Sequence, residues 1–293
     1  MKQVEVIDVS GVEVIEPGMQ MQLPRQMSMF DNNYAQMCTV TSNYVCQANV
    51  LIKSRQNLSI NAAKIVRACI MQIRPDDMEL RAFKIKINEL ADMLGISSSN
   101  LYRDIRDLCK EISTSNLEME QGKSWVMYPW AAECRYDDET HYVTIQLNNK
   151  LKPFLLNLKD TYKSAKYMYD SLRAMRSPYS VRIYEMIIEE IKLKKLPLEG
   201  ADATLYIEDI RNGCYLWIDD EKGEKKVLYE KVSHLKSRVI EQAVREINES
   251  VAGYHVTYSD VKQGRSIVGF KFHLGTRPDH EIDMEPTKSK KYA

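Results

Sequence analysis

The sequence lacks the patterns on which membrane, secreted and metal-binding proteins depend. No run of about 18 apolar residues occurs among its 293 residues, so we expect no membrane-spanning helix. Residues 1–18 are acidic and contain no basic segment followed by an apolar one, which argues against a secretory signal. The six cysteines are scattered without a CxxC pair, as is typical of reduced cytosolic thiols. We therefore expect a cytoplasmic protein with no metal site and no cofactor.

Two signatures of catalysis on nucleotides are also missing. There is no GxxxxGK[ST] loop to hold phosphates, so ATP hydrolysis is not expected. The five histidines never form the His-hydrophobic-His spacing of enzymes that nick DNA through a tyrosine. The 17 tyrosines are more typical of rings packed in cores and sheets. The sequence thus favours a protein that is not an enzyme.

What the sequence does contain is a globular composition with an uneven distribution of charge. Hydrophobic residues make up 44% and charged residues 28%, and the net charge is zero. Residues 148–182 nevertheless carry a charge of +6, residues 183–221 carry −6 and residues 222–245 carry +4. This alternation fits one basic face and one acidic face, and a phosphate backbone responds to the local potential of a face. Charged blocks are also common on solvated surfaces, so the pattern leaves both interpretations open.

The periodicity of apolar residues predicts the same order of elements twice along the chain. In each half we expect a helix, a short helix, an amphipathic helix and a two-stranded hairpin, about 120 residues apart. The first set comprises helix 59–73, a short strand at 81–87, helices 88–94 and 98–112 separated by Gly95, and a hairpin of 124–136 and 141–147. The second set comprises helix 178–195, a short helix within 204–216, helix 228–250, and a hairpin of 254–261 and 266–274.

These elements predict an α+β fold made of two tandem winged-helix domains, each a helix-turn-helix followed by a β-hairpin wing. We place the N-terminal domain at 46–158 and the C-terminal domain at 159–276. Residues 1–45 are rich in Met, Gln, Asn and Ser and show little periodicity, which predicts a weakly ordered extension. Residues 277–293 form a polar tail.

The third helix of each set has one apolar side, as a helix that reads DNA from the major groove requires. In the first helix the apolar side consists of Leu101, Ile105, Leu108 and Ile112. In the second helix it consists of Val232, Leu235, Val239, Ala243 and Ile247. Any amphipathic surface helix shows such a stripe, so a packing role without DNA remains an alternative.

The opposite sides of these helices supply the candidate DNA-binding residues. The first helix offers short donors and acceptors at its start and cations along its length: Ser98, Ser99, Asn100, Arg103, Arg106 and Lys110. The second helix offers Lys231, His234, Lys236, Ser237 and Arg238. The turn of the second hairpin places Lys262 and Arg265 at a wing tip, and Lys163 lies in the +6 block, so we expect all three to contact phosphate.

Several segments resemble the plasmid initiator replication proteins of the RepB/RepE type. The resemblance runs from about Leu51 to Leu274 and contains no catalytic signature. Its segments are LSINAAKIVRACIMQI (58–73), ELADMLGI (89–96), LKPFLLNLKDTYKS (151–164), LRAMRSPYSVRIYEMI (172–187), YEKVSHLKSRVIEQAVREINES (229–250) and VTYSDVKQGRSIVGFKF (256–272). The extension 1–45 is not matched to this family.

The resemblance implies that the protein binds double-stranded DNA at direct repeats, called iterons, of a plasmid origin. It implies opening of adjacent AT-rich DNA and recruitment of the host replicative helicase, often with the host initiator. It also implies a monomer–dimer equilibrium, in which monomers bind iterons and dimers, joined through the N-terminal domain, repress the initiator's own gene. Carried onto this sequence, the helix with Lys236 and Arg238 is the main base reader and helix 98–112 is the second.

Three other functions stay open at this point. A transcriptional repressor would use the same two modules, and only a requirement for replication separates it from an initiator. A nicking enzyme for rolling-circle replication would need metal-dependent cleavage and a covalent tyrosyl adduct, against which the histidine spacing argues. A scaffold that uses winged helices for protein contacts would show no salt-dependent affinity for DNA.

Overall fold

The computed structural model describes residues 44–74, 77–121, 123–156, 158, 164–194, 197–219, 225–251 and 254–276. The predicted tail 277–293 and Lys163 lie outside the described residues, as does the predicted extension up to residue 43. Strand β1 (Tyr44–Ala48) includes the last two residues that we assigned to that extension, and Val45 is fully buried.

The first half of the chain contains the predicted helix, helix-turn-helix and hairpin. After β1 come α1 (Asn49–Lys53), β2 (Arg55–Gln56), α2 (Ile60–Met71), β3 (Phe83–Lys86), α3 (Ile87–Leu94) and α4 (Ser98–Thr114). The strands that follow are β4 (Asn116–Gln121), β5 (Ser124–Pro129), β6 (Ala131–Asp137) and β7 (Tyr142–Leu147). A 3-10 turn (Asn149–Leu151), α5 (Lys152–Leu155) and β8 (Ser164–Met168) come next.

The second half has the same order of elements with one inserted hairpin. It begins with α6 (Asp170–Arg173), α7 (Pro178–Leu193), β9 (Ala201–Tyr206) and α8 (Ile207–Gly213). The insertion consists of β10 (Trp217–Asp219) and β11 (Lys225–Val227). The third helix begins as α9 (Val232–Leu235), passes through π-helical turns at Lys236–Ile240 and ends as α10 (Glu241–Ser250). The chain then forms the long hairpin of β12 (Tyr254–Gln263) and β13 (Ser266–Thr276).

Sheet topology confirms the predicted pair of winged-helix domains. The first domain contains an antiparallel sheet in the order β3–β7–β6, and the second contains one in the order β9–β13–β12. In both sheets the strand that precedes the helix-turn-helix pairs with the second strand of the wing hairpin. We did not predict β9, because its buried positions include the small residues Ala201 and Ala203, which give a weak apolar alternation.

Local signals position the end of α3 and the start of α4. Gly95 ends α3 in the left-handed region, with φ of +70°, and the Ile96 amide donates to the Ala91 carbonyl at 3.1 Å. Ser97 then caps α4, since its hydroxyl accepts a hydrogen bond from the Asn100 amide at 3.3 Å. These two signals set the turn that separates α3 from α4.

Two predicted elements differ from the structure. The predicted strand 124–136 is divided at Trp130, which is fully buried; β5 pairs with β4, and β6 pairs with β7 to form the first wing. The predicted helix 228–250 begins only at Val232 and contains the π-helical turns, which bury Val239 and Ile240 side by side. Apolar periodicity identifies a helical segment but does not distinguish a short π-helical stretch from an α-helix, so the sequence did not reveal this segment.

The two halves share a continuous core. Strand β8 pairs with β1 across the boundary that we place at 158/159, and the exact position of that boundary stays a prediction. A buried polar network joins α2 to α7: Arg67 donates from Nε and Nη2 to the two carboxylate oxygens of Glu185, at 3.0 Å each. Arg182 donates to the same carboxylate at 2.8 Å and to the Gly213 carbonyl of α8 at 2.8 Å. The network therefore holds the helix-turn-helix of the second half against the core of the first.

Candidate nucleic-acid interface

Helix α4 presents the predicted polar face to solvent. Leu101, Ile105, Leu108 and Ile112 are buried, as the apolar stripe predicted. All six candidate residues on the other side are exposed: Ser98, Ser99, Asn100, Arg103, Arg106 and Lys110. Because the first turn carries the short polar residues, the start of α4 is the end that suits contact with base edges.

The cationic side chains of α4 differ in whether they have a partner within the protein. Arg103 Nε donates to Asp104 Oδ1 at 2.7 Å and its Nη2 donates to Oδ2 at 3.1 Å. The hydrogen bond from Arg103 lowers the pKa of Asp104, so this carboxylate stays charged beside the guanidinium. Within the part of the chain that the structure describes, the side chains of Arg106 and Lys110 have no hydrogen-bond or ion-pair partner. Arg106 is thus better prepared than Arg103 to fork onto a base.

The third helix of the second domain also presents its predicted face. Leu235, Val239, Ala243 and Ile247 are buried, and Val232 is half-buried. The candidate residues Lys231, His234, Ser237 and Arg238 are exposed. Arg238 has no side-chain partner among the described residues, and it lies within the π-helical turns. Such turns occur frequently at functional sites, because they redirect side chains relative to an α-helix.

Lys236 differs from its neighbours on this helix. Its Nζ donates to both carboxylate oxygens of Asp260 on β12, at 2.9 and 3.1 Å, and lies 5.3 Å from the centroid of the Tyr258 ring. The hydrogen bond with Asp260 raises the pKa of Lys236. In this arrangement Lys236 ties the helix to the wing. Its role as a base reader stays a prediction, because a base would have to replace Asp260 as the partner of the ammonium group.

The second wing ends in a tight two-residue loop. Gln263 pairs with Ser266, so the loop is formed by Gly264 and Arg265. Gly264 has φ of +62°, the conformation that a two-residue hairpin loop of type II′ requires at its first position. Lys262 and Arg265 are both exposed at this tip, where we predicted them. Two cations therefore project at the end of the hairpin farthest from its core.

The sheet that contains the first wing carries exposed cations that we did not predict. Lys84 on β3 and Arg135 on β6 both lie opposite Thr144 on the central strand β7. Lys84 and Lys86 are exposed, with their Nζ atoms 4.8 and 5.9 Å from the centroid of the Tyr142 ring. The alternation of FKIK, with Phe83 and Ile85 buried, already contained the signal for these cations.

Lys163 lies outside the residues that the structure describes, so its contact with phosphate stays a prediction. No set of three His, Cys, Asp or Glu side chains among the described residues is arranged to hold a metal ion. No helix in the described ranges is both long enough and apolar enough to cross a membrane.

The similarity to known proteins follows the two domains. Residues 44–188 match the family model described as "Initiator Replication protein, WH1", and residues 221–274 match "Initiator Rep protein, WH2". A curated replication initiation protein of Escherichia coli is 26% identical over 167 residues, which cover 55% of this chain and 51% of the relative. The chain thus spans about half the length of this curated relative.

A solved structure supports the same fold. The Pi initiator protein, crystallised in complex with iteron DNA, is similar with a TM-score of 0.66 at 17% identity, over 81% of this chain and 99% of that one. At this identity the similarity concerns the fold. Together with the two family models, which cover most of the described residues, it shows that the chain belongs to the family of initiator replication proteins built from two winged-helix domains.

Proposed function

We propose that this protein initiates plasmid replication by binding repeated duplex sequences, the iterons of an origin, through both winged-helix domains. The observation that carries the proposal is the repetition of one module. In each half an exposed polar helix face stands beside a hairpin wing, in sheets of the same strand order. One chain thus has two helices suited to the major groove, and two readers on one chain suit a long binding site.

Each element of the module has a different task. The start of α4 and the π-helical turns around Arg238 contact base edges, where Arg forks onto guanine and Ser or Asn accept and donate single hydrogen bonds. Lys262 and Arg265 on the second wing, Arg135 on the first wing and Lys84 on the adjacent strand β3 contact phosphates and set the register of the complex. The Pi initiator protein, which has a similar fold, was solved in complex with iteron DNA, and this supports iteron binding by the present chain.

The protein acts without catalysis in this proposal. Opening of AT-rich DNA comes from binding energy used to deform the duplex and from partner proteins. The partners are the host replicative helicase and the host initiator. A second copy of the chain joins through the N-terminal domain, and the dimer represses the protein's own gene. The site of action is the cytoplasm of the plasmid's host, and no membrane takes part.

The decisive experiment is a binding titration of the purified full-length chain across a salt series. The probes are the DNA that flanks its own gene and a random duplex of equal length. The proposal expects tight binding to the flanking DNA, in steps that increase with the number of repeats, and weak, strongly salt-dependent binding to the random duplex. Equal weak binding to both would reject it.

A repressor with the same modules would pass that titration. A plasmid that carries the repeats and the AT-rich segment, with and without the gene for this chain, separates the two functions. Replication that requires the chain supports the initiator, whereas replication without it leaves only the repressor. Arg238→Ala serves as the control that does not bind the repeats, because loss of base contacts should abolish both replication and repression.

A further inference from the structure

Two thiols meet where the first reading helix contacts its wing. Cys109 lies on α4 and Cys134 on β6, and both are half-buried free cysteines. They line one open cavity of about 370 Å³, together with Arg106 and Lys110 of the reading face and Tyr136 of the wing. The cavity therefore opens beside the candidate DNA contacts, and solvent and small reagents can enter it next to both half-buried cysteines.

A hydrogen bond between the two thiols shifts their pKa values in opposite directions. A hydrogen bond from the Cys109 thiol, supported by one from Ser113, lowers the pKa of Cys134 to about 7, although burial opposes this. The same hydrogen bond and burial raise the pKa of Cys109 well above its usual value. Near neutral pH a substantial fraction of Cys134 is therefore thiolate, while Cys109 stays protonated. This is the arrangement found at reactive cysteines.

Other cysteines of the described chain do not share these properties. Cys69 and Cys214 are almost completely buried, and burial raises the pKa of each thiol. Cys46 is half-buried, but burial raises its pKa as well. Among the cysteines that the structure describes, a small oxidant should therefore react first at Cys134.

We propose that Cys109 and Cys134 form a redox-sensitive pair that a peroxide converts into a disulfide between α4 and β6, weakening DNA binding. The Cys134 thiolate attacks one peroxide oxygen, the O–O bond breaks, and protonation of the leaving oxygen releases water or an alcohol. The resulting sulfenic acid reacts with Cys109, forming the S–S bond and releasing one water. Two thiols are oxidised and one peroxide is reduced, and an added dithiol reverses the change.

The consequence for DNA, unlike the thiol chemistry, depends on the proposed function. The disulfide would fix the spacing between α4 and the wing at the cavity that Arg106 and Lys110 line. A reading helix held in this way cannot adapt to the groove while its wing follows the phosphates. We expect the oxidised protein to bind flanking DNA about tenfold more weakly, the loss expected when one bidentate arginine contact is misplaced.

The thiol arm of the test needs no DNA. Reduced full-length protein is titrated with hydrogen peroxide, its remaining thiols are capped with a maleimide, and intact mass and non-reducing peptide maps are recorded. Wild type should lose the mass of two hydrogen atoms before capping, lose two capping sites and yield a linked peptide with Cys109 and Cys134. Cys109→Ser should instead accumulate a sulfenic acid at Cys134 that dimedone traps. Cys214→Ser, which removes a buried thiol elsewhere, should behave as wild type.

Three results would contradict the proposal that Cys109 and Cys134 form a redox-sensitive pair. They are a linked peptide that contains Cys69 instead, equal peroxide sensitivity in wild type and Cys134→Ser, or no disulfide at all. In the DNA arm, the peroxide response of binding should disappear in Cys134→Ser and be reversed by dithiothreitol in wild type. A disulfide that forms without a change in affinity would overturn its regulatory role. A protein that binds no DNA even when reduced would instead contradict the proposed function and leave the thiol result standing.

Discussion

The carboxylate of Glu185 accepts two hydrogen bonds from Arg67, each 3.0 Å long, and both side chains are completely buried. Arg67 lies on α2 of the first domain, and Glu185 lies on α7, the first helix of the second winged helix. Arg182 shares the carboxylate and continues the network to α8. One buried anion between two cations thus joins the two domains, in addition to their shared core and the pairing of β1 with β8.

Replacing Glu185 with glutamine should lower the free energy of unfolding by about 3–5 kcal/mol, because two guanidinium groups would remain buried without a counter-charge. Chemical denaturation of both proteins measures this difference. Glu190→Gln is the matched control on the same helix, since its pair with Lys194, at 2.8 Å, is partly exposed. That change should cost less than about 1 kcal/mol. Equal losses in the two variants would contradict a structural role for the buried network.

The same carboxylate predicts a dependence of stability on pH. Burial alone would raise the pKa of Glu185, but Arg67 and Arg182 lower it to about 2, from 4.5 in an exposed glutamate. A lowered pKa means that the stabilisation is complete above pH 4.5 and is lost as the pH falls from 4.5 towards 2. The stability difference between wild type and Glu185→Gln should therefore be constant near neutral pH and narrow in acid. Denaturation midpoints of both proteins across this pH range test the expectation. A stability difference that widens in acid would contradict a lowered pKa for Glu185.

Replacing Arg238 with alanine should weaken binding to the cognate repeat by about 1–3 kcal/mol while leaving random DNA little affected, because a forked contact to one base is lost. Competition titrations against both duplexes measure the specificity ratio. Arg238→Lys is the control, since it keeps the charge and removes the planar fork. The lysine variant should bind random DNA as wild type does and should not recover specificity for the repeat. Unchanged affinity of the alanine variant for the repeat would remove Arg238 from the reading face.

Replacing Arg265 with alanine should weaken binding to all duplexes alike, because a wing-tip cation contacts phosphate and not bases. The slope of log K against log salt should become shallower by about 0.9 for the one lost phosphate contact. Titrations of the cognate and random duplexes at several salt concentrations provide both slopes. A loss confined to the cognate repeat would show that Arg265 reads sequence.

Replacing Lys236 with glutamine should reduce affinity for the cognate repeat less than Arg238→Ala does, since the ammonium group is already held by Asp260. Asp260→Asn should strengthen binding, because it frees this ammonium and removes a carboxylate beside the helix. Both variants are compared with wild type in the same competition titration. If Lys236→Gln reduced affinity more than Arg238→Ala, we would infer that Lys236 leaves Asp260 when DNA binds and contacts a base.

The order of helices, the apolar stripes and the wing hairpins could be predicted because each depends on residues close in sequence. Leu101, Ile105, Leu108 and Ile112 follow the period of one helix, and all four are buried. Ser177 and Pro178 similarly mark the start of α7, where the structure places it. Gly264 and Arg265 mark the loop of the second wing.

The sequence by itself determined the two winged-helix modules and the exposed faces of their third helices, since helical period, capping and turn chemistry act over a few residues. Only the tertiary structure decided which polar side chains are partnered. Glu185 and Arg67 are 118 positions apart, and Lys236 and Asp260 are 24 apart. Contacts at such separations arise from packing, and no local pattern records them. The meeting of Cys109 with Cys134 was decided in the same way, because it depends on how α4 rests against β6.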